Sequence, residues 1–197
     1  MEKTRQIKSK KRVADYGEVY TNEREVNAML DFVQEETEKI TSTFLEPACG
    51  NGNFLVEILR RKLRTVARVY GEDVSSFKLH MIEAVCSIYG VDIQNDNVLE
   101  SRQRLLEICI TEFKGSYGEP LSDGMIRALN CVMKRNIICG NTLTCQSQDG
   151  TPLCFSEWVL NDEGMFERKD FLFTDILENK DASLKKKVVT YDWREVA

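Results

Sequence analysis

The stretch Phe44–Leu59, FLEPACGNGNFLVEIL, constrains the fold of this chain more than any other. A short apolar, β-prone start leads into Glu-Pro, then into two glycines one residue apart, and then into an amphipathic helical pattern. Glycines at such a turn allow backbone N–H groups to approach a ligand closely, because no Cβ atom stands in the way. A strand, a glycine turn and a helix in this order predict a site for a nucleotide-like ligand at the carboxyl end of a parallel strand.

Helical and strand-like patterns alternate up to about residue 145. Amphipathic spacing and capping residues predict helices at 22–38, 53–66, 75–87, 95–113 and 122–134. Apolar, β-prone runs predict strands at 44–46, 87–93 and 136–140. This alternation predicts an α/β fold with a mostly parallel sheet and helices on both faces.

The pattern changes after Gly140. An Asp149-Gly150 turn between two strand-like runs predicts a hairpin, and Val188 to Tyr191 are predicted to form a fourth strand. The parallel sheet is therefore expected to end after its third or fourth strand. We divide the chain into a disordered or loosely attached basic arm at 1–15, a ligand-binding domain at 16–145, and a C-terminal part of the same domain at 146–197.

Composition excludes several classes of protein. The 197 residues are 42% hydrophobic and 30% charged, which is typical of a soluble globular protein, and no run approaches the ~18 apolar residues of a membrane helix. The basic N-terminus lacks the apolar core of a secretory signal. The seven cysteines are scattered and there is one histidine, so neither a disulfide framework nor a metal site is indicated, and a reducing cytoplasm is expected. A net charge of −5 argues against a chain built to coat nucleic acid.

Two common nucleotide sites fit the glycine turn poorly. A dinucleotide fingerprint requires a third glycine where this chain has Leu55, and a ribose-binding acid ~20 residues after the glycines. The acid that ends the second predicted strand, Asp92, comes much later, after an additional helix. No Gly-Lys-Ser/Thr follows the turn, as a Walker phosphate loop would need. An NAD-dependent oxidoreductase is therefore the disfavoured alternative.

Two acids point to a different ligand. Glu46 ends the first strand beside the glycine turn, where a carboxylate repels a pyrophosphate and attracts an ammonium group. Asp92 ends the second strand, where it can accept hydrogen bonds from both hydroxyls of a ribose. An amine at one end and a ribose at the other indicate S-adenosylmethionine (SAM).

Four motifs resemble those of one enzyme family. FLEPACGNGNFL and YGVDI, residues 89–93, are similar to the first two motifs of bacterial amino-methylating DNA methyltransferases, the N6-adenine modification subunits of restriction systems. GEVYT, residues 17–21, resembles their N-terminal motif, with Asn22 where proline is usual. IICGNTL, residues 137–143, resembles their third motif, with Asn141 replacing the acid. The resemblance covers about residues 16–145 and implies a Rossmann-like, class I SAM-dependent methyltransferase fold.

The resemblance implies a role for individual residues. Tyr20 and Thr21 would contact the methionine part of SAM, and Glu46 would take its ammonium group directly or through a water. Asp92 would hold the ribose, and Ile93 would pack on a face of the adenine.

The resemblance also assigns the turn and the third motif. The path from methionine to ribose would be lined by Ala48, Gly50 and Gly52, and Asn53 and Phe54 would close the cleft at the start of the next helix. Asn141 would reach the adenine amino group through its amide oxygen, without the charge assistance that an acid gives.

The family's catalytic tetrad, Asn/Asp/Ser-Pro-Pro-aromatic, is absent, because the three prolines of this chain are not adjacent. Asp192 and Trp193, after the predicted fourth strand, are candidates for a degenerate acceptor and stacking aromatic. The sequence is consistent with an adenine-N6 DNA methyltransferase of a restriction-modification system. The alternative is a catalytically incomplete SAM-binding subunit, whose DNA recognition and tetrad come from a partner chain. An exposed sheet edge could be covered by that partner or by a second copy.

Overall fold

A computed structural model describes residues 7–178 and 188–193 of the chain. The helices of this part are α1 (Lys10–Tyr16), α2 (Glu23–Asp31), α3 (Gln34–Glu38), α4 (Asn53–Tyr70), α5 (Val74–Cys86), α6 (Asn95–Tyr117), α7 (Asp123–Asn136) and α8 (Phe173–Leu177). Its strands are β1 (Phe44–Glu46), β2 (Ile88–Asp92), β3 (Ile137–Cys139), β4 (Cys154–Leu160), β5 (Phe166–Leu172) and β6 (Val189–Tyr191). No helix among these residues is both long and apolar enough to span a membrane.

The first three strands form a parallel sheet in the order β1-β2-β3. Phe44 is opposite Ile88, and Gly90 is opposite Ile137. The mixed α/β class and the three parallel strands predicted from the alternating pattern are confirmed. Since the strands run in the same direction, their carboxyl ends meet at one edge of the sheet, where Glu46 and Asp92 lie.

The long helices pack against one face of this sheet. Ile88 and Ile137 point to that face, where they meet fully or almost fully buried side chains from α4 to α7, namely Leu59, Val85, Leu105 and Met133. Burial of a large aliphatic side chain stabilises a fold by about 1.5–3 kcal/mol, so this layer holds the main hydrophobic core.

The opposite face of the parallel sheet is covered differently. Its side chains Tyr89, Val91 and Ile138 form a small core with Leu153, Phe155 and Phe173. The Tyr89 hydroxyl donates a hydrogen bond of 2.9 Å to the carbonyl oxygen of Ser156. The prediction of helices on both faces is therefore corrected: β4, the residues before it and the short α8 cover the second face.

The C-terminal strands form a separate antiparallel sheet in the order β4-β5-β6. At the predicted Asp149-Gly150 turn the chain does reverse, and Asp149 accepts there from Thr151 N–H, but an isolated antiparallel bridge, Gln146 to Pro152, takes the place of the predicted paired strands. The hairpin of paired strands joins β4 to β5 through a turn whose Asn161 side chain accepts from the Glu163 and Met165 N–H groups. The fourth predicted strand exists as β6, but it pairs with β5 and not with the parallel sheet.

The N-terminal region also departs from expectation. Residues 1–6 of the predicted arm lie outside the described residues, while residues 10–16 form α1, with Ser9 capping its first turn. The predicted 22–38 helix is divided into α2, capped by Asn22, and α3. The division of the chain at residues 15 and 145 stays a prediction.

Candidate functional site: an acidic cleft at the carboxyl ends of the parallel strands

A cleft of about 480 Å³ opens at the carboxyl ends of β1 and β2. This volume is within the ~300–1,000 Å³ range of pockets that hold small ligands and cofactors. Its walls come from the segment before α2, the β1–α4 turn, the end of β2 and the loop after β3. Three carboxylates, Glu18, Glu46 and Asp92, line it, and the described lining contains no lysine or arginine.

The β1–α4 turn is fastened to β2 by backbone hydrogen bonds. Cys49 N–H donates to the carbonyl oxygen of Val91 over 2.8 Å, and Gly50 N–H donates to Asp92 Oδ2 over 2.9 Å. Gly50 has a positive φ of 51° and packs against the Tyr20 ring, which lies 3.2 Å from where a Cβ would be. An alanine at this position would require the Tyr20 ring to shift by a few tenths of an ångström, in addition to the strain of the positive φ.

Asp92 is held from three sides. Besides Gly50, Gln94 N–H donates to its Oδ1 over 2.8 Å and Asn97 Nδ2 donates to the same oxygen over 3.1 Å. Oδ2 has one of these partners and retains acceptor capacity toward the cleft. The carboxylate is therefore fixed in direction while one oxygen can still accept from a ligand hydroxyl.

Glu46 is a half-buried carboxylate without a neighbouring cation in the cleft lining. Burial raises the pKa of its carboxyl group, and a hydrogen bond from the backbone N–H of Ala48 partly offsets this. A cation that entered the cleft would stabilise the charged form of Glu46. The group is thus suited to bind an ammonium.

The N-terminal wall is tied to the start of α4. Asn53 Nδ2 donates to the carbonyl oxygen of Thr21 over 2.7 Å, and Asn53 Oδ1 accepts from Arg104 over 2.8 Å. Tyr20 donates its hydroxyl to Asn97 Oδ1 over 2.9 Å. Burial is the main reason that the pKa of Tyr20 rises to about 12, so the phenol stays neutral at physiological pH.

The loop after β3 closes the opposite side of the cleft. Asn141 Oδ1 accepts from Leu143 N–H over 2.9 Å, which shapes the loop, and Thr142 Oγ1 donates to the carbonyl oxygen of Pro47 over 3.2 Å. The Leu143 side chain is 94% exposed at the mouth of the cleft. An apolar side chain that protrudes there offers a contact to a molecule approaching the cleft.

The structure brings the predicted cofactor residues together with one exception. Those that line the cleft are Tyr20, Thr21, Glu46, Ala48, Gly50, Asn53, Phe54, Asp92, Ile93 and Asn141. Gly52 does not: it is buried below the turn, with a φ of 87°, where a Cβ would overlap Ser101 Oγ of α6. Its function in the structure is to let α4 start close to α6.

The two candidate catalytic residues are not brought into the cleft. Trp193 is 8% exposed and lies beside Ile82 of α5 and Val132 of α7, in an apolar groove apart from the cleft lining. Asp192 directly precedes it in the chain. The β6 strand before them belongs to the antiparallel sheet, so they do not follow a strand of the parallel sheet.

Sequence reasoning missed Glu18 and Asn97. Glu18 lines the cleft, and Asn97 is 1% exposed between Glu18 and Asp92. Glu18 stands in the GEVYT motif, but Asn97 lies 79 residues later in no motif, so no signal in the sequence pointed to the pair.

Comparison with known proteins finds a relative. Over 93 residues, 47% of this chain, the sequence is 29% identical to the Type II methyltransferase M.VspI of Vibrio sp. (strain 343). The chain is similar to a methyltransferase. The aligned part spans 17% of the length of that protein. No protein-family model matches the chain, and no solved structure matches it.

Proposed function

We propose that this chain binds S-adenosylmethionine and is a DNA methyltransferase of the adenine-N6 type in a restriction-modification system. The observation that carries the proposal is the acidic cleft itself, with Glu46 on β1, Asp92 on β2 and a glycine turn between them. A cationic sulfonium and ammonium suit such a cleft, whereas the pyrophosphate of NAD or the triphosphate of ATP would meet three carboxylates. The similarity to a type II methyltransferase supports the same ligand.

In this proposal, three residues of the cleft each take one part of the cofactor. Glu46 would hold the ammonium group, Asp92 the ribose hydroxyls, and the exposed face of Ile93 the adenine. Bound SAM supplies an electrophilic methyl group, and an exocyclic amine is the kind of nucleophile that takes it. Because methyl transfer needs mainly in-line placement of the amine, the protein's task is to position the two molecules and exclude water.

A second reading has its own support: the isolated chain binds SAM but needs a partner to methylate DNA. In the described residues β1 pairs with β2 alone, so the outer edge of β1 is free, and Leu45 there is 40% exposed. Trp193 lies outside the cleft, and no adjacent prolines occur in the sequence. A partner strand at the β1 edge would stand beside the cleft, where an acceptor-binding tetrad is needed.

Two measurements test these proposals. Calorimetric titration with SAM is expected to show binding, and wild-type protein that releases no heat of binding would overturn both. Transfer of labelled methyl groups from SAM to unmethylated DNA then separates them. Transfer by the isolated chain supports a self-sufficient enzyme, and binding without transfer supports the need for a partner.

A further inference from the structure

Asn97 connects the N-terminal segment of the protein to the cleft. It is 1% exposed near the start of α6, and its Nδ2 donates to two carboxylates, Glu18 Oε2 over 3.0 Å and Asp92 Oδ1 over 3.1 Å. Its Oδ1 faces donors, the Tyr20 hydroxyl and Lys8 Nζ, each at 2.9 Å. The amide orientation is therefore determined by its neighbours, because a flipped amide would point its oxygen at two carboxylates.

Glu18 is itself held in place. Its side chain is 9% exposed, and Arg12 Nε donates to Glu18 Oε2 over 2.9 Å. Lys8 and Arg12 also pair with Asp96, the residue that precedes Asn97 on α6. The N-terminal segment is thus attached to α6 by ion pairs next to Asn97, and its Arg12 also holds Glu18.

Asn97 separates two negative charges that share the cleft wall. The Glu18 and Asp92 carboxylates each accept from one of its N–H groups, so the amide stands between two like charges, of which Glu18 is also paired with Arg12. Without this amide, Asp92 would keep two backbone donors, Gln94 N–H at Oδ1 and Gly50 N–H at Oδ2, and would lose the donor that lies between it and Glu18. Asn97 therefore adds a side-chain donor to the two backbone donors that hold Asp92 in direction.

We propose that Asn97 is a positioning residue for Asp92 and thereby sets the preference of the cleft for a ribose over a 2′-deoxyribose. The inference rests on the proposed function, in which Asp92 holds the cofactor ribose. A carboxylate binds a hydroxyl donor well only when its lone pair points at that donor. The preference for the ribose over the 2′-deoxyribose therefore falls when the carboxylate is displaced. Asn97 acts through Asp92 and makes no contact with the ligand.

The test compares binding of S-adenosylhomocysteine and its 2′-deoxy analogue by calorimetry. Wild-type protein is expected to prefer the ribose form by about tenfold, the value of one charge-assisted hydrogen bond. Asn97→Asp keeps the size of the side chain but replaces both N–H donors by an oxygen that repels Glu18 and Asp92. We expect the preference to fall below about threefold in this variant, with weaker binding of the ribose form.

A matched control and a second variant keep the test decisive. Asn95→Asp makes the same chemical change two residues away, at an exposed position of α6, and should leave the preference unchanged. Asn97→Ser removes both N–H donors without adding charge, and replaces Asn97→Asp if that protein does not fold. Its preference should also fall below about threefold, since Asp92 again loses the donor that lies between it and Glu18.

Three outcomes would each overturn either the positioning role of Asn97 or the proposed function, and they can be told apart. A wild-type preference retained in a folded Asn97 variant overturns the positioning role, as a merely structural residue would weaken both ligands equally. Equal binding of the two ligands by wild-type protein overturns it too, while leaving cofactor binding in place. Failure of wild-type protein to bind either ligand overturns the proposed function instead.

Discussion

The two ends of the parallel sheet differ in how their ionisable side chains are hydrogen-bonded. At the amino end, Lys62 is 0% exposed and its Nζ donates to the carbonyl oxygens of Lys39, Ile40 and Ser42 over 2.9, 2.9 and 2.6 Å. At the carboxyl end, Glu46 and Asp92 face an open cleft, and their carboxylate oxygens can still accept hydrogen bonds from a ligand. A charge whose partners all come from the protein holds the fold together. A charge whose partners are incomplete is available to a ligand.

The carboxyl end depends first on the backbone of the glycine turn. Gly52→Ala is expected to lower the free energy of unfolding by about 3 kcal/mol, because an αL alanine is strained and its Cβ would lie 3.0 Å from Ser101 Cβ. Gly118→Ala is the matched control: its φ of 73° is also positive, but nothing lies within 4 Å of the added Cβ. Urea unfolding should show a loss of about 1 kcal/mol for the control. Equal losses would mean that the contact with α6 has no effect.

At the amino end, Lys62→Met should lower the free energy of unfolding by about 2–4 kcal/mol, because three carbonyl oxygens lose their donor. SAM binding should be unchanged, since Lys62 lies away from the cleft lining. Lys114→Met, at an exposed position of α6, should change stability by less than about 0.5 kcal/mol. A Lys62 variant that unfolds no more easily than this control would contradict the comparison between the two ends.

Glu46→Gln should have opposite effects on binding and on stability. SAM affinity is expected to fall by about tenfold or more, as the charge-assisted contact to the ammonium is lost. The melting temperature of the free protein should rise, because the buried carboxylate no longer has to be charged at neutral pH. Calorimetry and thermal unfolding measure the two effects on one preparation. Glu157→Gln, exposed on β4, should change neither.

The smallest expected effect is on pH dependence, and its sign differs between the ends. Burial lowers the pKa of Lys62 to about 7, below its unfolded value, so the unfolded state binds more protons above pH 7 and stability rises with pH there. The raised pKa of Glu46 acts the other way: stability falls as pH rises through that pKa, above the usual range of a glutamate. Lys62→Met should remove the alkaline rise, and Glu46→Gln the acidic fall. Urea unfolding curves from pH 4 to 9 give the slope of the unfolding free energy against pH. A slope that persists in the corresponding variant would contradict its assignment to that residue.

What the sequence predicted well depends on local chemistry. The strand β1, the glycine turn and the helix α4 are formed by consecutive residues. Asp73, Ser122 and Asn22 each cap the helix that follows them. Parallel strands then bring Glu46 and Asp92 to one edge, since topology follows from the alternation. Most of the candidate site was predictable for this reason.

What the sequence did not predict depends on contacts between distant residues. Asp149-Gly150 has the composition of a hairpin turn and does reverse the chain, but Leu153 and Phe155 pack with Tyr89, and β4 starts only at Cys154. The basic residues Lys8 and Arg12 suggested a solvated arm, yet their partners are on α6. In the sequence Asn97 has no feature that distinguishes it from other helix residues, and only the fold brings Glu18 within hydrogen-bond distance of it. Packing and long-range pairing decide such features, and single-sequence patterns do not contain them.

The cleft wall runs along the chain from Gly17 to Leu143. Since the walls are so far apart in sequence, they can meet only after α4 to α7 have packed and the parallel sheet has formed. A ligand that needs all of them binds the completed fold and not the partly folded chain. Cofactor binding would therefore raise the global unfolding free energy in proportion to the logarithm of cofactor concentration. The melting temperature of the protein would then report how much free cofactor its surroundings contain.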